Sequence, residues 1–152
     1  MDILNKEQYL SKILLGIYDS ANWLFDDDRW AGSEDTFIKL LNQNDFLFAY
    51  NESKVVGFLS YNSGIKGCVV ITGLYVEKEF QNQGVAARLL ANLICKLSNI
   101  EIYAEVMNNA PWAKDFYEKN GFNLMPKHKN LSEDLKKLIN HNEWSCIYKK
   151  GG

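Results

Sequence analysis

The chain is poor in the features that usually announce a function. It has two prolines, three cysteines and two histidines in 152 residues. Cys68, Cys95 and Cys146 are odd in number, far apart and without a C-x-x-C pair, so they suggest neither a zinc site nor a disulfide framework. Each lies in an apolar stretch, which predicts buried reduced thiols. No apolar run approaches the roughly 18–20 residues of a membrane span, and the N-terminal Met1-Asp2-Ile3-Leu4-Asn5-Lys6-Glu7 is charged too early for a secretory signal. Internal repeats, linkers and low-complexity tracts are also missing. Seventeen basic against nineteen acidic residues give a net charge of −2, and without a basic excess broad binding to a nucleic-acid backbone is disfavoured. Neither G-x-G-x-x-G nor Gly-Lys-Ser/Thr occurs, which disfavours nucleotide hydrolysis. A small nucleotide remains allowed, because backbone amides can hold phosphates without net positive charge. These absences lead to the expectation of a soluble, cytoplasmic chain with no metal, no membrane attachment and no nucleic-acid partner.

What is present is ordinary globular material, 47% apolar and 24% charged, of a length that fits one domain over residues 1–152. A helical stripe runs from Glu7 to Tyr18, and a second helix is predicted from a Ser33 cap to about Asn42. The period then changes. Phe46–Tyr50 and Val55–Tyr61 read as strands joined by a turn at Asn51–Lys54, and a second turn at Asn62–Gly64 leads to an apolar strand over Cys68–Val76. Strands and helices alternate beyond it: helix Gly84–Leu97, strand Ile100–Val106, helix Pro111–Asn120, strand Phe122–Pro126, a short polar helix Ser132–Asn140 and a closing strand Trp144–Lys149. This order predicts an α/β (α+β) fold, a mixed sheet with helices on both faces.

The sharpest local pattern is Leu74-Tyr75-Val76-Glu77-Lys78-Glu79-Phe80-Gln81-Asn82-Gln83-Gly84-Val85-Ala86: strand, polar loop, helix. Gly84 falls where the chain turns into the helix, and Ala86 is small. Free amides at a helix N-terminus favour an anion, and a pyrophosphate would be a natural occupant. A glycine in a strand-to-helix loop is equally well a plain turn.

Gln81-Asn82-Gln83-Gly84-Val85-Ala86 resembles the Q/R-x-x-G-x-G/A motif of the GNAT superfamily of acetyl-CoA-dependent N-acetyltransferases, and Leu74-Tyr75-Val76 resembles the strand before it. The element order from about residue 7 to 149 is similar to that fold, which implies a mostly antiparallel central sheet of six to seven strands. The resemblance implies that the amides of residues 81 to 86 wrap the CoA pyrophosphate, that Val76 pairs with pantetheine, and that the Leu74 N–H faces the thioester carbonyl. Arg88, one turn into the helix, is read as either approaching a phosphate or solvated, the second being slightly favoured.

A second run, Ala113-x-x-Phe116-Tyr117-Glu118-Lys119-x-Gly121-Phe122, is close to the family's A-x-x-F/L-Y-E-K-x-G-F signature. Ala110, Ala113 and Tyr117 share one helical stripe, leaving room beside the tyrosine for a thin ligand. By this resemblance Ala113 and Phe116 line the cofactor, and Tyr117 protonates the leaving thiolate. Taken alone, Tyr117 is more simply an aromatic packed between helix and sheet. The family's usual asparagine position is Ala110 here, so either Asn109 takes over its pantetheine contact or that hydrogen bond is missing. Val70-Ile71-Thr72-Gly73 offers no base. Glu105 matches a glutamate that serves as base in some amine and N-terminal acetyltransferases, and strand alternation places it on one face with Tyr103 and Glu101. A structural carboxylate is the alternative. His128 and His141 are expected at the surface.

For the acceptor, Trp23, Phe25 and Trp30 surround Asp26, Asp27 and Asp28, an arrangement suited to a cationic amine, although an acidic surface loop pinned to the core by its aromatics is the simpler reading. The resulting expectation is transfer of acetyl from acetyl-CoA to a primary amine by direct attack in a ternary complex, a small amine being favoured. A protein N-terminal or lysine acetyltransferase and a non-catalytic acyl-CoA-binding regulatory domain stand as alternatives. The oligomeric state is open, a homodimer included.

Overall fold

The computed structural model describes residues 1–14, 24, 34–97, 99–107, 110–126, 133 and 145–151. The strands are β1 (Asp2–Asn5), β2 (Asp45–Asn51), β3 (Lys54–Ile65), β4 (Cys68–Val76), β5 (Glu101–Met107), β6 (Phe122–Leu124) and β7 (Ser145–Lys150). They form one seven-stranded sheet in the order β1-β2-β3-β4-β5-β7-β6. The helices are α1 (Lys6–Leu14), α2 (Glu34–Gln43), α3 (Val85–Lys96) and α4 (Pro111–Lys119). The sheet is mostly antiparallel, and β4 with β5 is its parallel pair. The chain divides into two compact units, residues 1–61 with 73–98, and residues 62–72 with 99–152.

In the first unit α1 starts from a reciprocal cap. The Gln8 N–H donates to Asn5 Oδ1 and the Asn5 N–H donates to Gln8 Oε1, both at 2.9 Å, which satisfies two amides the helix leaves open. The end of α2 is closed by Lys6, whose Nζ donates to the carbonyls of Leu41 and Asn44 at 3.0 and 2.8 Å. The core is aromatic: Tyr9 stacks on Phe48 with centroids 3.9 Å apart, and Phe37 meets Phe46 edge-on at 6.0 Å. Gly57 on β3 is the close approach that matters for the site. A Cβ there would lie 2.9 Å from the Tyr75 carbonyl oxygen on β4 and 3.2 Å from a Val85 methyl on α3. The missing side chain therefore seats β4 and the start of α3 against β3.

In the second unit β5 pairs β7 antiparallel, with Tyr103 opposite Lys149, Ala104 opposite Tyr148 and Glu105 opposite Ile147. β6 adds to the outer edge of β7. The parallel ladder between β4 and β5 runs from Cys68↔Glu101 to Ile71↔Ala104 and ends there, whereas β4 continues to Val76 and β5 to Met107.

Three sequence expectations need correction. The turn expected at Asn62–Gly64 is strand: β3 continues to Ile65, and the reversal comes at Lys66-Gly67, where Gly67 takes φ +79°. The polar residues belong to the exposed far end of β3, where Ser63 and Gly64 face solvent. β1 has no counterpart among the expected elements, since four residues carry too little alternation to signal a strand. The cysteines are free but not buried: Cys68 and Cys146 are half-exposed and Cys95 is exposed on the last turn of α3. The helix expected over Ser132–Asn140 lies outside the described residues except for Glu133, which is helical and exposed. Among the described residues, no helix is long and apolar enough to cross a membrane.

Candidate active site

The turn between β4 and α3 starts at Glu77, whose N–H donates to the Val56 carbonyl on β3 at 2.8 Å. A short 3-10 helix (Lys78–Phe80) follows, and then residues 81–84 swing into α3. Two residues here adopt the left-handed conformation, Asn82 with φ +62° and Gly84 with φ +82°. Asparagine and glycine tolerate it best. The two glutamines brace the bend with their side chains. Gln81 Nε2 donates to the Val76 carbonyl at 3.3 Å, and Gln83 Nε2 donates to the Glu79 carbonyl at 3.0 Å.

The main-chain amides are left over. The first backbone bond across the α3 start runs from the Arg88 N–H to the Gly84 carbonyl at 3.0 Å. The Gln81 N–H, expected among the free donors, is taken by the Lys78 carbonyl at 3.4 Å, whereas the N–H groups of Asn82, Gln83, Gly84, Val85, Ala86 and Ala87 find no acceptor among the described residues, and no side chain caps the helix. Residues 81 to 84 are exposed, Val85 is buried and Ala86 half-buried, so most of these donors sit at an accessible helix N-terminus. Such an array of backbone donors can hold an anion. Arg88 is exposed.

β4 feeds this turn. The Glu77 N–H faces β3, so by alternation the main-chain groups of Val76 and Leu74 face the other edge of the strand. The Val76 carbonyl on that edge accepts from the Gln81 side chain. Leu74 and Val76 are themselves buried, and Leu74 lies past the end of the β4–β5 ladder.

In the second unit, Pro111 at the first helical position and Gly121 at φ +86° bracket α4. Its buried side chains are Ala113 and Tyr117. The Tyr117 ring meets Phe122 edge-on at 5.1 Å, Phe116 at 5.4 Å and Tyr148 in a stacked arrangement at 6.3 Å. Its hydroxyl makes no hydrogen bond among the described residues. Burial pushes its pKa well above that of an ordinary phenol, so the proton stays on. Tyr148 is held in turn by Glu118, its Oη donating to Oε1 at 3.2 Å. Burial, with help from that carboxylate, raises its pKa to about 12.

Glu105 is half-buried on β5, opposite Ile147. Directly opposed residues share a sheet face. Glu105 and Ile147 therefore lie on one face with Tyr103 and Lys149, while Ala104, Tyr148 and the α4 residue Tyr117 lie on the other. On the Glu105 face, Tyr103 Oη donates to Glu101 Oε2 at 2.9 Å, and Lys149 Nζ reaches Glu101 Oε1 at 3.3 Å while lying 5.6 Å from the Tyr103 ring centre. The hydrogen bonds from Tyr103 and Lys149 hold the Glu101 carboxyl below its usual range. The carboxylate and the phenol thus address opposite faces of the sheet.

Asn109 lies outside the described residues, as do Trp23, Phe25, Asp26, Asp27, Asp28 and Trp30 and both histidines. Sequence reasoning missed Gly57, Tyr148 and an ion pair beside the turn, between Lys54 Nζ and Glu77 Oε1 at 2.9 Å. None carries a local signal, because each acts through pairing between distant strands. Among the described residues there is no group of three or more His, Cys, Asp or Glu side chains able to hold a metal ion.

Residues 42–124, more than half of the chain, match the family model described as acetyltransferase (GNAT) domain. No curated protein sequence matches the chain. Among solved structures it is similar to GCN5 of Tetrahymena, with a TM-score of 0.67 and 18% identity over 99% of this chain and 95% of that one. A GNAT family acetyltransferase from Elizabethkingia anophelis with acetyl-CoA bound gives a TM-score of 0.62 and 20% identity over 85% and 88%. The PaiA N-acetyltransferase of Thermoplasma acidophilum, in complex with coenzyme A, gives 0.59 and 19% over the whole of both chains.

Proposed function

Because the chain belongs to the GNAT acetyltransferase domain family, we propose that it transfers an acetyl group from acetyl-CoA to a small primary amine by direct attack. The observation that carries this reading is the run of amides from Asn82 to Ala87, exposed for the most part at the N-terminus of α3 and without acceptors among the described residues. Such a cradle suits the diphosphate of coenzyme A, since aligned N–H groups and the helix dipole together favour a doubly charged anion. Two of the related structures were solved with acetyl-CoA or coenzyme A bound. Gly84 takes the left-handed conformation of the bend, and Gln83 spends its side chain on the Glu79 carbonyl within the turn, leaving the turn's amides for the ligand.

Acetyl-CoA supplies the activated thioester, and the chain supplies the hydrogen-bond donors and acceptors for the transfer. The Leu74 N–H, on the β4 edge away from β3, is assigned to the thioester oxygen, where negative charge grows during attack. Val76 is assigned to pantetheine, which requires the Gln81 amide to release the Val76 carbonyl. Ala113 and Phe116 are assigned to the channel beside Tyr117. The amine loses its proton toward Glu105, directly or through water, while the departing sulfur takes a hydrogen bond from Tyr117 on the opposite sheet face. Burial keeps Tyr117 protonated, so it is assigned as the general acid toward the departing sulfur.

The test is release of free thiol from acetyl-CoA, measured against a panel of small mono- and polyamines, lysine-containing peptides and peptides with free N-termini. Small amines are expected to give the largest kcat/KM. Turnover confined to peptides would move the acceptor to protein, and acetyl-CoA binding with no release on any acceptor would overturn the enzymatic reading.

A further inference from the structure

One ion pair beside the turn plays no part in this mechanism. Glu77 is the last residue before the 3-10 helix and its side chain is only 14% exposed. Oε1 accepts from Lys54 Nζ at 2.9 Å, and Oε2 is buried with no partner among the described residues. Lys54 opens β3, with its side chain 45% exposed. A largely buried carboxylate thus sits at the entry to the segment that presents the free amides. Left uncompensated, that charge would oppose an incoming diphosphate, and its burial leaves it weakly screened by salt. Local packing alone does not account for it, since a buried carboxylate oxygen without a donor is costly.

We infer that the Lys54–Glu77 pair sets the electrostatic balance of the turn and with it the affinity for acetyl-CoA, Lys54 acting as a positioning residue through Glu77. The inference rests on the diphosphate reading of the turn. It differs from a plain structural brace in sign. If the pair only tied β3 to the turn, loss of either partner would loosen the bend and weaken binding. If it balances charge, removing the cation weakens binding and removing the carboxylate strengthens it.

Calorimetric titration of coenzyme A into the full chain separates these. Lys54→Met is expected to raise Kd about tenfold at low salt, with the penalty shrinking as salt is added. Glu77→Gln is expected to lower Kd by a comparable factor, about tenfold, on the same electrostatic ground, since the carboxylate is less exposed than Lys54 and so less screened. The double variant, with neither charge, returns to within about twofold of the parent, and Lys54→Arg stays with the parent. Throughout, kcat for thiol release is unchanged. Weaker binding in both single variants, an unaltered Lys54→Met, or a double variant as weak as Lys54→Met overturns the inference. Recovery in the double variant also rules out misfolding as the cause in Lys54→Met. A parent protein that fails to bind coenzyme A would instead bring down the diphosphate reading itself.

Discussion

Tyr117 lies between Phe122 and Tyr148, and burial alone raises its pKa from 10.0. A phenol in that state keeps its proton near neutral pH and can donate, which is what a leaving sulfur needs. Tyr117→Phe keeps the ring and removes only the donor. Steady-state kinetics should show kcat about a hundredfold lower, with acetyl-CoA affinity by calorimetry unchanged within about twofold; equal kcat would remove the assignment. The raised pKa also bears on stability. Tyr103 and Tyr148 are raised as well, Tyr148 to about 12. Above about pH 10 the unfolded chain releases phenol protons that the folded chain keeps, so ionisation favours unfolding. Stability should therefore be intact below pH 10 and fall as pH rises toward 12, and urea midpoints across that range should fall less steeply in Tyr117→Phe. A flat profile would contradict the burial. At this scale the sequence was a good guide to identity and a poor one to surroundings. Tyr117 stood out through its flanks, whereas Tyr148 reaches it only because β7 registers with β5 at Ala104.

The elements that make the site are β4, the turn and α3, and their seating depends on Gly57. Its absent side chain faces the Tyr75 carbonyl at 2.9 Å and Val85 at 3.2 Å, and neither a backbone oxygen nor the start of a helix yields easily. Gly57→Ala should cost about 1–3 kcal/mol in urea denaturation, the usual range for overpacking, and should raise the KM for acetyl-CoA because the turn shifts with β4. Unchanged stability and KM together would show that β4 can move away freely. The ends of β4, Cys68 and Val76, were legible because its run is apolar apart from Thr72 and Gly73, and the start of α4 was set by Pro111 and its end by Gly121. The reversal after β3 was not: Asn62-Ser63-Gly64 has turn composition, but Gly67 is the residue that adopts the positive φ. Polar residues mark solvent exposure as readily as they mark a turn.

For the whole molecule, the exclusions drawn from composition hold only as expectations, while the family and fold rest on the domain match and on the shared sheet architecture. The parallel pairing of β4 with β5, and its end at Ile71↔Ala104, could not be read from local pattern, since register is decided by residues far apart in sequence. The acceptor is the least legible part, because the aromatic and acidic loop assigned to it lies outside the described residues. The central claim is that main-chain amides of the turn grip the diphosphate. Titrating coenzyme A into uniformly 15N-labelled protein and following each amide by NMR tests it directly. The account predicts that the largest shifts fall on the amides from Asn82 to Ala87, with Leu74 and Val76 next. Saturable binding that leaves those six amides unmoved would contradict it.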